Sequence, residues 1–355
     1  MTQSTTPAPR PSPRAPVATD RRHVLHASDL ESNTWRTILD AAVQYRHDGA
    51  RGRGGAEGKT IGLLFFNPSL RTRTSMEMAA AHLGAESTTL TPGEGTWTLA
   101  WDDGAVMDGD AAEHVREAVG VLSRYHDALG VRVFASGTDY EADASDQLIR
   151  TVADVATVPI LNLESAWAHP CQAVSDAAFL TDYFDGDVAG REFVLSWTTH
   201  PKALPMAVPN STVQMAARCG MNVTVARPDT HALDPQVLAS AQTLADRHGM
   251  SVTTTDNLEA AVNGAEVVYA KSWGGPMMYT DPATEASTRA RCEEWRITDA
   301  HMQSTRDAPF LHCLPVRRNV VVDDSVLDGP QAHHLDQAEY RLHAQKALLE
   351  YIWDV

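Results

Sequence analysis

A short apolar run that leads into a basic, hydroxyl-rich segment is the sequence feature that most constrains the fold. The run, residues 61–66, lacks a helical period, which is typical of a buried parallel strand, and Asn67-Pro68 ends it. Ser69 then stands where a helix N-cap is expected. Apolar residues follow with helical spacing: Met76, Ala79, Ala80 and Leu83. A buried strand followed by a capped helix predicts a parallel α/β fold.

The first turn of this expected helix also predicts an anion site. A helix N-terminus offers free backbone N–H groups and a partial positive charge, and Arg71 and Arg73 add guanidinium groups suited to phosphate oxygens. The alternative is an ordinary surface helix start with solvated arginines. The motif alone does not decide between them.

Composition narrows the class of protein. A chain of 355 residues favours two domains, and its net charge of −17 argues against a nucleic-acid partner. No apolar run approaches the length of a membrane span, and residues 1–22, rich in Pro, Ser, Thr and Ala, are expected to be a disordered tail. The four cysteines form no CxxC pair, so we expect a reduced, cytoplasmic enzyme without a structural zinc site.

Strand and helix patterns alternate through both halves of the chain. Strands are expected at 61–66, 87–90, 128–134, 158–163, 193–197, 222–226, 251–255, 267–270 and 310–314. Helices are expected at 30–50, 173–183, 210–219 and 339–353, and a further one carries Val115 and Val119, with Asp108 or Asp110 as its cap. The alternation predicts two doubly wound α/β domains with parallel sheets and a boundary near Asp185.

Nucleotide-binding motifs are not supported. Gly58-Lys59-Thr60 has the ending of a P-loop, but Arg53 stands where that motif needs glycine, and the segment precedes a strand. The GxG of residues 93–95 lacks a third glycine and opens no helix. A nucleotide-dependent α/β enzyme, such as a dehydrogenase, is therefore disfavoured.

Polar motifs recur at the carboxyl ends of the expected strands. They are Ser69-Leu70-Arg71-Thr72, Arg132, His169-Pro170-Cys171-Gln172, His200, Lys271 and His312-Cys313-Leu314-Pro315. Ligands bind at this edge of open α/β sheets, so the motifs are expected to surround one cleft. Any one of these histidines, taken alone, is more often structural than functional.

Taken together, SxRTR, HPxQ and HCLP, in this order, resemble the aspartate/ornithine carbamoyltransferase family over residues 30–355. The resemblance implies a carbamoyl-phosphate-binding domain at 23–172, with a C-terminal helix at 337–355 packing back on it, and an amino-acid-binding domain at 185–335. It also implies interdomain helices, no cofactor, no metal, and a homotrimer with shared active sites. A non-catalytic relative is the competing interpretation.

The resemblance assigns roles to matching positions. Ser69, Leu70, Arg71, Thr72 and Arg341 would hold the phosphate, and Trp97 would reach in from a neighbouring subunit. The carbamoyl group would be bound by Arg132, His169, Gln172, Cys313 and Leu314, with Pro170 and Cys171 in the same motif. The catalytic set would be Arg71, Arg132, His169, Gln172 and Cys313.

Charge development in the reaction agrees with these roles. Attack on carbamoyl phosphate builds negative charge on the carbonyl oxygen and on the departing phosphate, where preorganised cations and N–H donors lower the barrier. The nucleophile is the amine of the second substrate. His169 or the phosphate could accept its proton, and the sequence leaves both open.

The amine-binding region resembles the N-acylornithine branch of the family. It has no Ser-Met-Gly motif, and residues 106–110, 197–202 and 269–274 carry the branch pattern, which implies a second domain knotted through the proline-rich loop 200–209. The substrate would be bound by Ala112, Glu164, His200, Lys271, Leu314 and Arg317.

Three positions bear on the acyl group. The acetyl-specific pattern has Glu, Asn and Lys where this chain has Ala112, Pro205 and Val321. A buried glutamate would repel a succinyl carboxylate, and alanine leaves space and neutrality. The pattern therefore favours N-succinyl-L-ornithine over the alternative N-acetyl-L-ornithine. The competing explanation is neutral sequence change at loop positions.

Overall fold

The computed structural model describes residues 22–48 and 54–355. Of the expected tail at residues 1–22, only Arg22 is described, and residues 1–21 lie outside the described ranges. The expected helix 30–50 is described as far as Asp48. The strands are β1 Thr60–Phe65, β2 Glu86–Leu90, β3 Leu99–Ala100, β4 Glu113–His114, β5 Ala128–Arg132, β6 Ile160–Glu164, β7 Glu192–Trp197, β8 Asn222–Ala226, β9 Val252–Thr255, β10 Val267–Lys271 and β11 Phe310–Leu311.

The helices lie before, between and after the strands along the chain. They are α1 Ser32–His47, α2 Leu70–His82, α3 Val115–Tyr125, α4 Tyr140–Ala144, α5 Gln147–Val155, α6 Pro170–Tyr183, α7 Ala207–Arg218, α8 Pro235–Asp246, α9 Leu258–Val262, α10 Pro282–Arg289, α11 Asp299–Gln303, α12 Asp324–Leu327 and α13 His334–Trp353. None of the helices in the described ranges combines the length and apolarity that a membrane span requires.

Two parallel sheets confirm the predicted α/β architecture. The first has the order β2-β1-β5-β6, and the second has the order β11-β10-β7-β8-β9. In each sheet the chain adds its next strands on one side of the first strand. It then crosses over and adds the remaining strands on the other side of the first strand. The order reverses between β1 and β5 and between β7 and β10, and ligands bind outside the carboxyl ends of the strands at such points.

The strand–helix unit from which the fold was predicted forms as expected. Ser69 has extended backbone dihedrals and caps α2, since its Oγ accepts a hydrogen bond from Thr72 N at 3.1 Å. Met76, Ala79 and Ala80 are fully buried on the inner face of the helix.

The predicted cap of α3 is wrong. His114, and neither Asp108 nor Asp110, is the N-cap, and its Nδ1 accepts from Arg116 N at 3.2 Å. The physical reason is the small β3–β4 pair, which keeps the backbone extended through residue 114 and delays the helix to Val115.

The last predicted strand is shorter than expected. Residues 310–314 were predicted, but β11 ends at Leu311. His312 N donates to Gln337 Oε1 at 2.9 Å instead of to the sheet, and Leu314 has a left-handed φ of 58°. A bulky residue in that region marks a constrained backbone, which is common at functional sites.

Helices α6 and α13 join the two sheet regions. Helix α6 leads from β6 of the first sheet towards β7 of the second and packs on α1, α7 and α13. Helix α13 follows the second sheet in the chain and packs on α1, α2 and α6. The exact boundaries expected at residues 172, 185 and 335, and the knot, stay predictions.

The two sheet regions also contact each other directly. Tyr140 Oη of α4 donates to the carboxylate of Asp234, and Tyr279 Oη donates to Asp143 Oδ2 at 3.1 Å. The two tyrosine rings meet edge to face with centroids 5.3 Å apart. Burial, followed by the hydrogen bond to Asp234, raises the pKa of Tyr140 to about 12, so the hydroxyl remains a donor at neutral pH.

Candidate active site

A cavity of about 460 Å³ lies between the carboxyl ends of the two sheets. Most of the predicted site residues line it: Ser69, Arg71, Thr72, Arg132, Glu164, His169, Gln172, His200, Lys271, Cys313, Leu314, Arg317 and Arg341. Two more lining residues were named from the sequence, Pro205 as an acyl-related position and Pro315 as part of a strand-end motif. The remaining lining residues were not predicted as site residues: Pro68, Phe134, Lys202, Leu204 and Val208. The predicted convergence of the strand-end motifs on one cleft is thus observed.

The N-terminus of α2 forms a cationic end of the cavity. Thr72 is buried, and its Oγ1 accepts from Arg341 Nη2 at 3.1 Å. Arg71 lines the same region, where burial, and then the charges of Arg341 and Arg132, lower the pKa of its guanidinium. Arg73 does not contribute, because its Nε donates to Glu77 Oε1 at 3.0 Å on the surface. The anion site predicted from the sequence would therefore consist of the helix start, Arg71 and Arg341.

Arg132, His169 and Glu164 meet beside this predicted anion site; the first two are buried and Glu164 is partly exposed. Arg132 pairs with the Glu164 carboxylate, and His169 Nε2 lies 3.6 Å from Glu164 Oε2. Burial and the charges of Arg341 and Arg132 hold the pKa of His169 well below its usual range, so the imidazole is neutral. Among the described residues, Arg132 Nε and His169 Nδ1 are buried without a hydrogen-bond partner. These groups can bind a polar ligand in the cavity.

A second cationic group lies on the opposite wall. His200 Nε2 accepts from Arg317 Nε at 3.0 Å, and its Nδ1 donates to Lys202 O at 2.8 Å. Burial is the main reason that the pKa of His200 is lowered, and the neighbouring Arg317 and Lys271 act in the same direction. Lys271 Nζ donates to Ser272 O at 2.7 Å. This wall suits the carboxylates of an amino-acid substrate.

Models of both domains of one family match the chain. The carbamoyl-P binding domain of aspartate/ornithine carbamoyltransferase matches residues 22–182, and the Asp/Orn binding domain matches residues 206–352. The chain belongs to the aspartate/ornithine carbamoyltransferase family. It is therefore a carbamoyltransferase, and its two matched domains follow the order expected from the sequence.

Similar proteins belong to the N-acylornithine branch. The chain is 39% identical to N-acetylornithine carbamoyltransferase of Xanthomonas campestris pv. campestris, over 92% of this chain and 96% of that protein. It is 34% identical to N-succinylornithine carbamoyltransferase of Bacteroides thetaiotaomicron, over 80% of this chain and 84% of that protein. Both comparisons place the chain in the N-acylornithine branch of the family.

Solved structures agree with the sequence relatives. A structure of acetylornithine transcarbamylase complexed with acetylcitrulline has a TM-score of 0.89 and 38% identity, covering 93% of this chain and 98% of that chain. A glutamate-to-alanine variant of N-acetyl-L-ornithine transcarbamylase, complexed with carbamyl phosphate and N-succinyl-L-norvaline, also has a TM-score of 0.89 and 38% identity. It covers 93% of this chain and 99% of that chain.

Some predicted residues do not line the cavity of this carbamoyltransferase. Leu70 is 79% exposed, on the outer side of the first turn of α2. Pro170 and Cys171 are buried in the first turn of α6, and the Cys171 thiol donates to Asn162 O at 3.4 Å. Burial raises the pKa of Cys171 to about 11. The structure assigns Pro170 and Cys171 a packing role instead of direct contact with the cavity.

Trp97 and Ala112 also lie outside the cavity of their own chain. Trp97 is 58% exposed, and its Nε1 donates to Glu113 Oε2 at 2.8 Å. Ala112 is exposed, and its N donates to Thr98 O at 3.3 Å. The β3–β4 pair joins these segments into one loop, residues 91–114, so the two residues share a surface. Ala112 can therefore contact a substrate only in the way predicted for Trp97, at the cavity of a neighbouring subunit.

Sequence reasoning missed two polar residues behind the cavity, Asp176 and Gln337. Gln172 Nε2 and Gln337 Nε2 both donate to Asp176 Oδ1 at 2.7 Å. Gln172 Oε1 accepts from Arg341 Nη1 at 2.7 Å. The available signal was the spacing of four residues between Gln172 and Asp176, which places both on one helix face.

Proposed function

We propose that this enzyme transfers the carbamoyl group of carbamoyl phosphate to the side-chain amine of N-succinyl-L-ornithine, giving N-succinyl-L-citrulline and phosphate. The observation that carries the acyl assignment is the charge of the cavity. Among the described lining residues, Glu164 is the only carboxylate, and Arg132 pairs with it. Lysines and arginines are in excess: Arg71, Arg132, Lys202, Lys271, Arg317 and Arg341.

This excess fits two anionic substrates. Carbamoyl phosphate needs cations at one end, where Arg71 and Arg341 lie. The α-carboxylate of the acylornithine and the distal carboxylate of a succinyl group need further cations, and Lys202, Lys271 and Arg317 can supply them. An acetyl group carries no charge and would leave part of this excess without a partner.

The three acyl-related positions support the same proposal. Pro205 lines the cavity, and Val321 is buried with its N donating to Arg317 O at 2.9 Å, so neither position offers a negative charge to the ligand. The resemblance puts Ala112 where the acetyl-specific pattern has glutamate. A related transcarbamylase was crystallised with N-succinyl-L-norvaline after one glutamate was changed to alanine, which supports alanine as compatible with a succinyl ligand.

The residues around the carbamoyl group define the chemistry. Arg132 and His169 would bind the carbonyl oxygen and stabilise the charge that develops on it, and the helix start of α2 would stabilise the departing phosphate. Because the pKa of His169 is far below its usual range, this imidazole is a poor base at neutral pH and a suitable neutral hydrogen-bond donor. We therefore propose that the departing phosphate, and not His169, accepts the proton that the attacking amine loses.

The assembly is part of the proposal. Large apolar side chains lie exposed around the loop 91–114 and the start of α2: Leu70, Trp97, Val106 and Met107. A homotrimer in which this loop completes a neighbour's cavity would cover them and would place Ala112 near the acyl group. A cytoplasmic location stays a prediction.

N-Acetyl-L-ornithine is the second candidate substrate. The observation in its favour is the higher identity to the acetyl-specific relative, 39% against 34% for the succinyl-specific one. A citrulline-formation assay with ornithine, N-acetylornithine and N-succinylornithine separates the candidates. The proposal expects the succinyl substrate to have the highest kcat/KM, and a higher value with the acetyl substrate would refute it.

The variant Ala112→Glu tests the residue assignment. Two like charges about 4 Å apart repel by roughly 4 kcal/mol at an effective dielectric of 20, and relaxation lowers this, so we expect a loss of about 10²-fold or more in kcat/KM with N-succinylornithine. Turnover of N-acetylornithine should fall far less or rise. Ala111→Glu adds the same charge one residue away and is the matched control. Equal losses with both substrates, or in both variants, would contradict the assignment of Ala112.

A further inference from the structure

One carboxylate oxygen behind the cavity accepts hydrogen bonds from two helices. Gln172 of α6 and Gln337 of α13 each donate an amide N–H to Asp176 Oδ1 at 2.7 Å. Asp176 is fully buried and does not line the cavity. It is therefore a residue that acts on ligands only through the groups that it holds.

The chemistry of a carboxylate fixes the orientation of both amides. An ionised carboxylate has no proton to donate, so each glutamine must turn its NH₂ group towards Asp176. The two carbonyl oxygens then point away from it: Gln172 Oε1 accepts from Arg341 Nη1 at 2.7 Å, and Gln337 Oε1 accepts from His312 N at 2.9 Å. A flipped amide would set an oxygen against the carboxylate and lose both contacts.

These two hydrogen-bonded branches end at different halves of the active site. The first passes through Gln172 to Arg341, whose Nη2 donates to Thr72 Oγ1 at 3.1 Å at the helix start that forms the anion site. The second passes through Gln337 to the backbone of His312, directly before Cys313 and Leu314 of the cavity wall.

We propose that Asp176 is a positioning residue for carbamoyl transfer, which sets the orientation of the Gln172 and Gln337 amides. Through them it holds Arg341 at the anion site and residues 313–315 at the cavity wall. The inference rests on carbamoyl transfer by this site and is independent of which acyl group is preferred.

Three variants separate positioning from packing. Asp176→Leu removes both acceptors, whereas Asp176→Asn keeps one oxygen that can accept from both amides. Asp182→Leu is the matched control, because Asp182 lies on the same helix and also joins it to neighbours, accepting from Tyr340 of α13 and from His47 of α1 at 2.6 Å. Asp182 does not line the cavity.

The expected order of activities follows from the bonds that each variant keeps. We expect kcat/KM to fall by about 100-fold or more in Asp176→Leu and by less than about 10-fold in Asp176→Asn, because hydrogen bonds to a neutral acceptor are weaker than those to a charged one. Asp182→Leu should stay within about threefold of wild type. Thermal unfolding of each variant identifies the folded ones.

Gln337→Leu cuts only the second branch. It should raise the KM for the acylornithine by about 10-fold and the KM for carbamoyl phosphate by only about threefold, because Cys313 and Leu314 follow His312 but the Gln172 branch to Arg341 is intact. A residue that only supports the fold would shift neither KM selectively. If Asp176→Leu does not fold, Asp176→Asn and Gln337→Leu still decide the question.

The inference is overturned by any of three results. Folded Asp176→Leu within about threefold of wild type, Asp182→Leu as inactive as Asp176→Leu, or Gln337→Leu raising both KM values equally would each refute it. All assays use the acylornithine that the wild type turns over best. A wild-type preference for the acetyl substrate would then refute the acyl assignment alone.

Discussion

Asp176→Asn is expected to change how the stability of the enzyme depends on pH. Burial raises the pKa of Asp176 to about 6 from 3.8, against the opposing effect of the bonds from Gln337 and Gln172. Between about pH 4 and pH 6 the folded protein therefore holds a proton that the unfolded chain releases. Raising the pH through this window disfavours the folded state, and asparagine at this position removes the effect.

The magnitude follows from the two pKa values. A pKa of about 6 in the folded protein against 3.8 in the unfolded chain corresponds to about 3 kcal/mol of destabilisation by the ionised carboxylate at pH 8. At pH 5 only about half of this remains. The free energy of unfolding of Asp176→Asn, relative to wild type, should thus increase by about 1–2 kcal/mol from pH 5 to pH 8.

Three groups that face Asp176 keep their charge in this pH range. Arg341, Tyr269 and Cys313 face Asp176, and burial raises the pKa of the tyrosine hydroxyl and of the thiol further above neutral pH. None of the three therefore changes its charge between pH 5 and pH 8.

Urea unfolding at a fixed protein concentration, at pH 5 and at pH 8, measures the effect. Asp281→Asn is the control: hydrogen bonds from Thr284 hold the pKa of the Asp281 carboxyl below its usual range in the folded protein, so both of its pKa values lie below the tested range and the gap to wild type should be the same at both pH values. An equally flat gap for Asp176→Asn would refute the reasoning.

Three further predictions address the anion site, the assembly and the contact between the sheet regions. Arg71→Ala removes charge-assisted bonds worth roughly 1.5–3 kcal/mol each and should lower kcat/KM for carbamoyl phosphate at least tenfold; a change within about twofold would contradict the assigned role. Mixing inactive Trp97→Ala and Arg132→Ala subunits should restore activity in hybrids, and no recovery after verified exchange would argue for self-contained sites. Tyr140→Phe leaves the Asp234 carboxylate without its partner from the first sheet region and should raise the KM for the acylornithine roughly fivefold, which steady-state kinetics can check.

The elements that were predicted correctly depend on local chemistry. The run before Asn67, the cap at Ser69 and the apolar face after it are all written within 25 residues, and they form β1 and α2 as expected. The cavity was also predictable, because parallel strands bring their carboxyl ends to one edge of the sheet. Position along a strand was therefore sufficient to bring Arg132 and Lys271 to the cavity.

The elements that were missed depend on contacts between distant residues. The β3–β4 pair decides where α3 begins, and no local preference of Asp108 or Asp110 could show it. The bond from His312 N to Gln337 ends β11, although these residues lie 25 positions apart. Asp176 was overlooked because an aspartate within a helix usually faces solvent. Its spacing from Gln172 indicated a shared helix face, but only its tertiary partners show that this face is buried at Asp176.

Helix α13 has a consequence for how the protein is synthesised. It packs on α1, α2 and α6, and its Ala344 and Leu348 are fully buried, yet residues 184–333 are translated between α6 and this helix. At a synthesis rate of about 5–20 residues per second, the earlier helices wait roughly 8–30 s for their partner. The first half of the nascent chain thus exposes an apolar groove until translation is almost complete, and a ribosome that stalls before residue 334 leaves a product that lacks both this cover and Arg341.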